Sequence, residues 1–248
     1  MSAPELSVVI PTFNEREGIG ALLNAVSTAL AAIQWEAVFV DDSNDGTDEL
    51  IAALASEDSR IRLLHRDENR GGLAGAVVDG LAVARGMYVC VIDADLQHPP
   101  ERIPAMLHEA RASNADVVVA SRYVPGGSAS GLDGPLRQLY SRGLKRLSQV
   151  VFPRRLASIS DPLGGFFLLH RSVVEGAELR PIGYKILLEI LVRCSWRTAR
   201  EVPYRFMPRQ HGESKADLRQ GLRFLHHLAK LAWDCSPAFA PARMAAGA

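Results

Sequence analysis

The chain has 248 residues, a formal net charge of zero and 48% hydrophobic residues, which is typical of globular proteins and excludes disordered or fibrous ones. Aromatic residues make up 6% of the sequence and do not interleave with basic runs, which argues against nucleic-acid binding. Three distant cysteines form no CxxC pair, and no signal peptide or apolar stretch of about 18 residues is present, so we expect no disulfides, zinc site, secretion or membrane span.

The first half of the chain alternates short β-branched runs with helical patterns. Strands are predicted at residues 6–11, 36–42, 61–65, 87–93 and 115–122. Between them, apolar residues recur at three- and four-residue steps, as they do in amphipathic helices. Strands that are apolar on both faces and separated by helices predict an α/β fold with a mostly parallel sheet flanked by helices.

After residue 122 this alternation ends. A Gly/Ser-rich stretch, PGGSASGLDG, predicts a mobile loop at 125–134 that would suit a lid or an acceptor loop. Further elements are predicted after it: a basic helix at 136–151, a turn at 160–167, a helix at 184–193, a strand at 199–206 and an amphipathic helix at 217–233. We find no internal repeat.

Charge is divided unevenly along the chain. Residues 1–120 contain 19 acidic residues and eight arginines, whereas residues 121–248 contain nine acidic and 20 basic residues. This split favours a first half that holds a cation and a second half that faces an anionic partner. Two solvated faces of opposite sign explain it equally well.

Two acids, Asp93 and Asp95, end the fourth predicted strand in VCVIDADLQHPPERI. In an extended chain they share one face about 7 Å apart, and ligands of open α/β sheets bind beyond the carboxyl ends of the strands. Mg²⁺ and Mn²⁺ prefer oxygen ligands, which Asp95 and the Gln97 carbonyl would supply, leaving Asp93 for a ribose or a water. The alternatives are acids that cap the helix near Glu101 and a dehalogenase-type nucleophile, which lacks the expected Thr.

The first two strands end in a similar way. PTFNE follows the first at 11–15, and VDDSNDGT ends the second at 40–47. Together with DADLQ, they predict three strand ends that lie side by side at one edge of the sheet.

Eight strings carry a family resemblance: SVVIPTFNE, VFVDDSNDGT, NRGGLAGAVVDGLAVARG, VIDADLQHPPE, VVVASRY, SDPLGGFFLLHR, GYKILLEIL and HGESK. In order and approximate spacing, from about residue 6 to 216, they resemble glycosyltransferase family 2 and, within it, the polyprenol-phosphate (dolichol-phosphate) mannosyltransferases. The resemblance implies a GT-A catalytic domain at 1–216, with a nucleotide-sugar half at 1–122 and an acceptor half at 123–216. An amphipathic C-terminal helix and a flexible tail would follow at 217–248.

The resemblance also implies an enzyme and its reaction. We expect inverting transfer of a sugar to a polyprenyl (dolichyl or undecaprenyl) monophosphate, with GDP-mannose as the donor and Mg²⁺ or Mn²⁺ as the cofactor. A UDP-sugar transferase (glucose or GlcNAc) is the alternative within the family, and a nucleotide-sugar binding module without turnover is the alternative from another class. A phosphate monoester is ionised at neutral pH, so no general base is required.

Site residues follow from the resemblance position by position. The nucleoside pocket is predicted from Pro11, Phe13, Glu15, Phe39 and Asp41, and further nucleotide contacts from Asp93 and Ala94. The metal ligands are Asp95 and Gln97, the donor phosphates are held by Arg122, Arg209 and Lys215, and the acceptor phosphate is bound by Arg122, Arg137 and Ser141. Catalytic roles are predicted for Asp95, Arg122 and Asp161, although Asp161 could instead form an Asx turn before Pro162.

This sequence departs from the family pattern at two places. Phe13 stands where Tyr is frequent, which removes a hydroxyl contact but keeps an aromatic face for stacking on the base. The loop SGLDGP lacks a Trp that is frequent in the family, so the resemblance implies no Trp contact to the acceptor from that loop.

Two basic amphipathic helices suggest a membrane surface. Arg137, Ser141 and Lys145 share one stripe of the helix at 136–151, and both this helix and the one at 217–233 mix leucines with basic residues. Helices that face a core on one side and solvent on the other are the alternative. Many relatives carry C-terminal membrane spans, so we expect a peripheral protein on the cytoplasmic face of the membrane that docks on a membrane-anchoring protein partner or has lost its anchor.

Two other enzyme classes share parts of these patterns. GGLAGA at 71–76 resembles a dinucleotide fingerprint, but its spacing is not GxGxxG and HRDENR separates it from the preceding strand. Processive polysaccharide synthases share the early strands and the DxD, but they add a Gln-x-x-Arg-Trp string and membrane helices that this sequence lacks.

Overall fold

The computed structural model describes residues 3–131, 135–208 and 218–235, with side chains omitted at 135–138 and 218–219. Within these ranges the strands are β1 Leu6–Thr12, β2 Trp35–Asp41, β3 Ile61–His65, β4 Tyr88–Val91, β5 Val117–Ser121, β6 Phe167–His170 and β7 Ala199–Pro203. The α-helices are α1 Arg16–Ala29, α2 Thr47–Glu57, α3 Gly72–Val83, α4 Ile103–Ser113, α5 Pro135–Val151, α6 Pro153–Leu156, α7 Ile186–Arg193 and α8 Leu218–Asp234. Short 3₁₀ turns cover Pro100–Arg102 and Arg171–Val173.

The strands form one sheet in the order β3-β2-β1-β4-β6-β5-β7. Neighbouring strands are parallel except where β6 pairs antiparallel with β4 and β5. The predicted α/β fold with a mostly parallel sheet and flanking helices is therefore confirmed.

Strand β6 is the element that sequence reasoning missed. Its residues fall at the end of the turn predicted for 160–167 and just beyond it. A buried run of four residues gives no periodicity that separates a strand from a helix or a loop. Because β6 runs antiparallel to its neighbours, it begins at the edge where β4 and β5 end. This direction brings the residues before Phe167 to the carboxyl edge of the sheet.

Each face of the sheet carries its own apolar core. Side chains alternate along a strand, so Val8 and Ile10 of β1 pack with α1, α2 and α4, whereas Val9 packs with the opposite core. That second core contains residues of α3, α7 and α8. Among the described residues, no helix combines the length and hydropathy that a bilayer crossing demands.

Helix α8 is held to α7 by a buried carboxylate. Glu189 is fully buried and lies 2.7 Å from His227 Nε2 and 2.8 Å from Arg193 Nε. Burial acts to raise the pKa of Glu189, but hydrogen bonds from His227 and the Arg180 amide bring it below its ordinary value. The helix predicted at 217–233 thus docks on the core along one side, and the domain boundary proposed at residue 216 stays a prediction.

The predicted mobile loop at 125–134 is partly paired. Ser128 N donates to Tyr204 O and Phe206 N donates to Ser128 O, both at 2.9 Å, and Gly131 N donates to Phe206 O at 3.1 Å. These bonds pair the loop with the residues that follow β7. The strand predicted at 199–206 is therefore β7 followed by an isolated bridge between Arg205 and Ser128. Residues 132–134 lie outside the described residues.

Helix α3 packs closely on the sheet at Gly80, and we predict that a side chain there destabilises the fold. A Cβ at Gly80 would lie 2.4 Å from Val9 Cγ1 and 3.0 Å from Val40 Cγ2, whereas one at Gly20 in α1 meets nothing within 4 Å. Gly80→Ala should lower the free energy of unfolding by about 1–3 kcal/mol, because overpacking outweighs the gain in helix propensity. Gly20→Ala should raise it by about 0.5–1 kcal/mol.

Urea unfolding followed by circular dichroism measures both effects. A Gly80→Ala variant as stable as Gly20→Ala would contradict the close approach of α3 to β1 and β2.

Candidate functional site

The carboxyl ends of β2, β1 and β4 are neighbours at one edge of the sheet. The prediction that these three strand ends lie side by side is confirmed. The register places Thr12 beside Asp41 and Asp41 beside His65, so a polar row crosses the ends of β1, β2 and β3.

Asp41 is the centre of this row. Its Oδ1 accepts hydrogen bonds from Thr12 Oγ1 at 2.7 Å and from Ser43 Oγ at 2.6 Å. Its Oδ2 accepts one from Ser43 N at 3.1 Å and lies 3.0 Å from His65 Nδ1. Ser43 Oγ in turn accepts from Asn14 N at 2.8 Å. This chain of bonds ties the loop after β1 to the loop after β2.

Residues predicted to line the nucleoside pocket fall into two groups. Phe13 is 39% exposed, next to Asn14 with its left-handed φ of 58°, and Glu15 is partly exposed at the start of α1. Pro11, Phe39 and Asp41 are buried, and both Phe39 and Asp41 have no exposed surface. The buried group therefore exposes little or no surface and the exposed group more, and the nucleoside contacts of both groups stay predictions.

The fourth strand ends earlier than predicted, and the two acids after it stand in a turn. β4 stops at Val91, and Leu96 has a φ of 59°. The expectation of an extended chain through Asp93 and Asp95 is therefore wrong. Asp95 is 8% exposed and accepts from Gln97 N at 3.1 Å, whereas Asp93 Oδ2 lies 3.0 Å from His98 Nε2.

His98 is a site residue that sequence reasoning did not select. It is 3% exposed, and its ring centroid lies 5.3–5.6 Å from those of Phe166, Tyr204 and Phe206. Its place five residues after Asp93 in DADLQHPP was the available signal. A Cβ on Gly165 would come within 3.1 Å of Asp93 Oδ2, so the Gly-Gly turn before β6 leaves room for this carboxylate.

Ala94 and Gln97 complete the turn. Ala94 is buried, and its carbonyl would lie 3.5 Å from a Cβ on Gly18 of α1. Gln97 is linked to the chain after β7, because Met207 N donates to its carbonyl at 2.9 Å and its own Nε2 donates to Met207 O at 3.0 Å. The segment that follows Met207 therefore starts beside the DADLQ turn.

Asp95 and Gln97 have the donor chemistry of a magnesium or manganese site. Both offer hard oxygen ligands, and a carbonyl oxygen keeps a second lone pair after it accepts one hydrogen bond. Within the described residues, no three His, Cys, Asp or Glu side chains converge on one point. Mg²⁺ is ordinarily held by one or two carboxylates together with substrate phosphates, and the two residues fit that pattern.

Arg122 and Asp161 form a buried bidentate ion pair. Arg122 Nε donates to Asp161 Oδ2 at 2.7 Å, Nη2 donates to Oδ1 at 2.8 Å, and the Arg122 amide donates to Oδ2 at 3.1 Å. Asp161 is 1% exposed and Arg122 is 9% exposed. Burial acts to lower the pKa of Arg122, but the partnership with Asp161 raises it above its ordinary value. The pair uses two of the five N–H donors of the guanidinium, and the predicted catalytic roles of both residues stay predictions.

Glu201 of β7 holds the loop that carries Asp161. Ser160 N lies 3.0 Å from both carboxylate oxygens of Glu201, and Asp161 N donates to Oε1 at 3.2 Å. Ser160 Oγ also lies 2.7 Å from Ser121 Oγ at the end of β5. These contacts fix the loop between two strands, so the position of Asp161 is set by β5 and β7 together.

Tyr123 connects the end of β5 to helix α5. Its hydroxyl lies 3.3 Å from Ser141 Oγ, and Lys145 Nζ lies 4.1 Å from its ring centroid. The guanidinium carbon of Arg122 lies 5.5 Å from the same ring. Burial lowers the pKa of Lys145 below its ordinary value. The structure thus brings Ser141 and Lys145 to the sheet edge that carries Arg122.

Other predicted phosphate ligands cannot be placed. Arg137 lies within α5, but its side chain is outside the described residues, and Arg209 and Lys215 lie outside them altogether. Their roles stay predictions.

Comparison with solved structures gives the same fold. A mycobacterial protein of known crystal structure is 24% identical, with a TM-score of 0.69 over 94% of this chain and 75% of that protein. Glucosyl-3-phosphoglycerate synthase of Mycobacterium tuberculosis, crystallised with Mn²⁺, UDP and glucosyl-3-phosphoglycerate, is 22% identical, with a TM-score of 0.69 over 94% of this chain and 80% of the synthase.

Comparison of sequences identifies the family. A dolichol-phosphate mannosyltransferase of Pyrococcus furiosus is 40% identical over 92% of this chain, and this chain spans 63% of the length of that protein. Proteins of the same name from Mycosarcoma maydis and Saccharomyces cerevisiae are 36% and 35% identical over 93% and 92% of this chain, and it spans 80% and 86% of their lengths. The sequence model of glycosyl transferase family 2 matches residues 7–176. The chain therefore belongs to glycosyl transferase family 2, and its fold is of the GT-A type.

Proposed function

We propose that this protein transfers mannose from a nucleotide sugar, GDP-mannose, to a polyprenyl monophosphate. Three relatives that carry the name dolichol-phosphate mannosyltransferase, at 35–40% identity, support the proposal. One structural observation carries it. The oxygen ligands offered by Asp95 and Gln97 and the contacting side chains of Tyr123, Ser141 and Lys145 lie at the same edge of the sheet. An anionic donor held through a cation and an anionic acceptor held by a helix would then face each other.

The donor half of the site would stabilise the leaving group. A divalent cation bound by Asp95 and Gln97 would supply Lewis-acid stabilisation of the charge that develops on the diphosphate. Phe13 offers an exposed aromatic face for stacking on the base. His98 Nε2 lies 3.0 Å from Asp93 Oδ2. This contact would orient the carboxylate so that its other oxygen accepts a hydrogen bond from the nucleotide. Arg209 and Lys215 would add cations to the phosphates.

The acceptor half would bind and orient a phosphate. Ser141 can donate its hydroxyl proton, and the ammonium group of Lys145 neutralises charge without a fixed direction. A phosphate oxygen would form the new bond to C1 of the mannosyl group while the bond from C1 to the diphosphate oxygen breaks, and the bonding electron pair leaves with the diphosphate. Such a displacement inverts the anomeric centre and requires no general base.

Helices α5 and α8 would place this site at a membrane surface. The two helices touch, since a Cβ on Gly221 of α8 would lie 2.3 Å from Tyr140 Oη of α5. Exposed apolar side chains define what we call the α5–α8 surface: Leu139, Leu147, Val150, Leu222, Leu225 and Trp233. Exposed Arg142, Arg146 and Arg223 accompany them. Apolar and cationic groups together suit anionic lipid headgroups, so we propose peripheral attachment there, with a membrane-anchoring protein as a further partner.

Loss of Asp95 should abolish transfer with every donor. We expect Asp95→Ala to lower kcat/KM by at least about 100-fold, because an oxygen ligand for the cation is removed. The assay follows radiolabelled GDP-mannose, UDP-glucose and UDP-GlcNAc in the presence of Mg²⁺ or Mn²⁺ and a short polyprenyl phosphate. Asp58→Ala, which removes an acid at the end of α2 paired with Arg60, is the matched control and should keep full activity. Undiminished turnover by Asp95→Ala, or by wild type after thorough chelation, would refute the proposal.

Substitutions of the three α5 residues that share one stripe of the helix should act mainly on the KM for the acceptor. Arg137→Ala, Ser141→Ala and Lys145→Met should each raise it by about 10-fold, since each removes one charge-assisted contact to phosphate. The KM for the donor should change less than about twofold. Assays in detergent with a short acceptor keep membrane binding out of the measurement. Arg154→Ala, an exposed position in α6, serves as control, and unaltered acceptor kinetics in all three variants would contradict the assignment.

The α5–α8 surface should bind anionic membranes. We expect cosedimentation with vesicles that contain phosphatidylglycerol at low salt, and binding should weaken as salt rises because the cationic contribution is screened. Leu222→Glu and Trp233→Glu should reduce binding, whereas Met87→Glu, which changes an exposed apolar residue beside the start of β4, should not. Failure of the wild-type protein to bind at low salt would show that attachment through these helices is wrong.

A further inference from the structure

Lys145 of α5 contacts an aromatic ring, and the carboxylates around it are already engaged. Its ammonium nitrogen lies 4.1 Å from the centroid of the Tyr123 ring. Asp161 and Glu201 are the carboxylates whose charge reaches Lys145. Asp161 accepts from Arg122, and Glu201 accepts from Ser160. The ammonium group of Lys145 is therefore left to pair with an incoming anion.

Ser141, one turn earlier in α5, faces the same tyrosine. Tyr123 Oη lies 3.3 Å from Ser141 Oγ, and either hydroxyl could donate. A phenol is the stronger acid of the two, so we assign the donor role to Tyr123, which frees the proton of Ser141 for another acceptor. The separation is longer than an ordinary O–H···O bond, as contacts in active sites often are before a ligand binds.

We propose that Tyr123 is a positioning residue for the acceptor of the reaction. Its hydroxyl directs the proton of Ser141 towards the phosphate, and its ring holds the ammonium group of Lys145 beside the same phosphate. The inference rests on the proposed function, because it assumes that α5 binds a phosphate monoester. Tyr123 acts through these two side chains.

The backbone on both sides of Tyr123 is anchored to the sheet. The amide of Arg122 donates to Asp161 at 3.1 Å, and the amide of Tyr123 donates to Ser121 Oγ at 3.2 Å. Ser121 Oγ also lies 2.7 Å from Ser160 Oγ. A binding group is held most precisely when the residue that supports it is itself fixed. Tyr123 thus offers α5 a rigid contact at the end of β5.

The other aromatic residues near Arg122 serve a different purpose. Tyr204 and Phe206 pack on the ring of His98, with centroids 5.6 and 5.3 Å away, and Tyr204 has no exposed surface. Tyr123 is partly exposed. It therefore joins the sheet edge to α5, whereas Tyr204 and Phe206 belong to the packing around His98.

Binding of farnesyl phosphate in detergent, without donor or metal, tests the proposal. Calorimetry is done at about pH 7.5, where a phosphate monoester is mostly dianionic. We expect Tyr123→Phe to raise the Kd about threefold, because it removes one neutral hydrogen bond and keeps the ring. Tyr123→Leu should raise it about 10-fold, because the contact of the ring with Lys145 is lost as well.

Double variants show whether Tyr123 acts through its two partners. Two residues that act independently have multiplicative effects on Kd. We expect Tyr123→Phe to change the Kd less than about 1.5-fold once Ser141 is replaced by Ala. Likewise, replacing Lys145 by Met should reduce the effect of Tyr123→Leu to about that of Tyr123→Phe.

Two measurements separate positioning from a general loss of structure. Tyr123→Phe should keep the melting temperature of wild type, and both Tyr123 variants should bind GDP-mannose with Mg²⁺ as wild type does. Tyr140→Leu is the matched control, because Tyr140 is an exposed tyrosine of the same helix whose hydroxyl lies close to Gly221 of α8. It should keep wild-type affinity for farnesyl phosphate.

Wild-type affinity in Tyr123→Leu, or multiplicative losses in either double variant, would overturn the proposal. Expected losses of farnesyl phosphate affinity in a protein that transfers no mannose would overturn the proposed function and leave the role of Tyr123 intact. Mannose transfer by Tyr123→Leu with the acceptor KM of wild type would do the reverse.

Discussion

The buried pair between Arg122 and Asp161 holds the two halves of the site in one geometry. It joins the end of β5 to the loop that precedes β6 through three hydrogen bonds. Removing one partner of such a pair typically costs about 3–5 kcal/mol, because the other charge is left buried and uncompensated. The loop held by Asp161 also contains Gly165, which lies against Asp93. Asp93 and helix α5 are therefore positioned by the same pair.

Ion pairs and hydrogen bonds within the fold account for part of the excess of acidic residues in the first half of the chain. Several acids of the first half already have partners within the fold: Asp42 and Glu36 form ion pairs with Arg66 and Arg62, and Asp41 accepts hydrogen bonds from Thr12 and Ser43. Glu36 also accepts from the Arg85 amide and from Ser7 at the opposite edge of the sheet. Part of the negative charge thus stabilises strand ends, whereas Asp93 after β4 is partly exposed.

The sequence allowed the strands at the site to be predicted because their apolar runs and polar ends are local signals. The positions of β1, β2 and β4 follow from such patterns, whereas the early end of β4 at Val91 and the turn around Asp95 do not. Strand β6, the aromatic cage of His98 and the burial of Asp41 could not be predicted in this way. Each depends on residues distant in sequence: β6 needs both neighbours in the sheet, His98 packs on Phe166 and Tyr204, and Asp41 is enclosed by Thr12 and His65. Periodicity carries no information about such partners.

The reversed direction of β6 has an evolutionary consequence. Because β5 and β6 are antiparallel neighbours, the chain leaves the sheet after Ser121 and returns at Phe167 on the same side. Much of the chain between these two points can lengthen, shorten or be exchanged at a small cost in loop entropy without disturbing the pairing of the seven strands, provided that the Arg122–Asp161 pair and the bridge from Ser128 to Arg205 are kept. The strands β1, β2 and β4 could thus be inherited unchanged while this excursion diversifies, so one scaffold can change part of its surface at the carboxyl edge by replacing a single continuous segment.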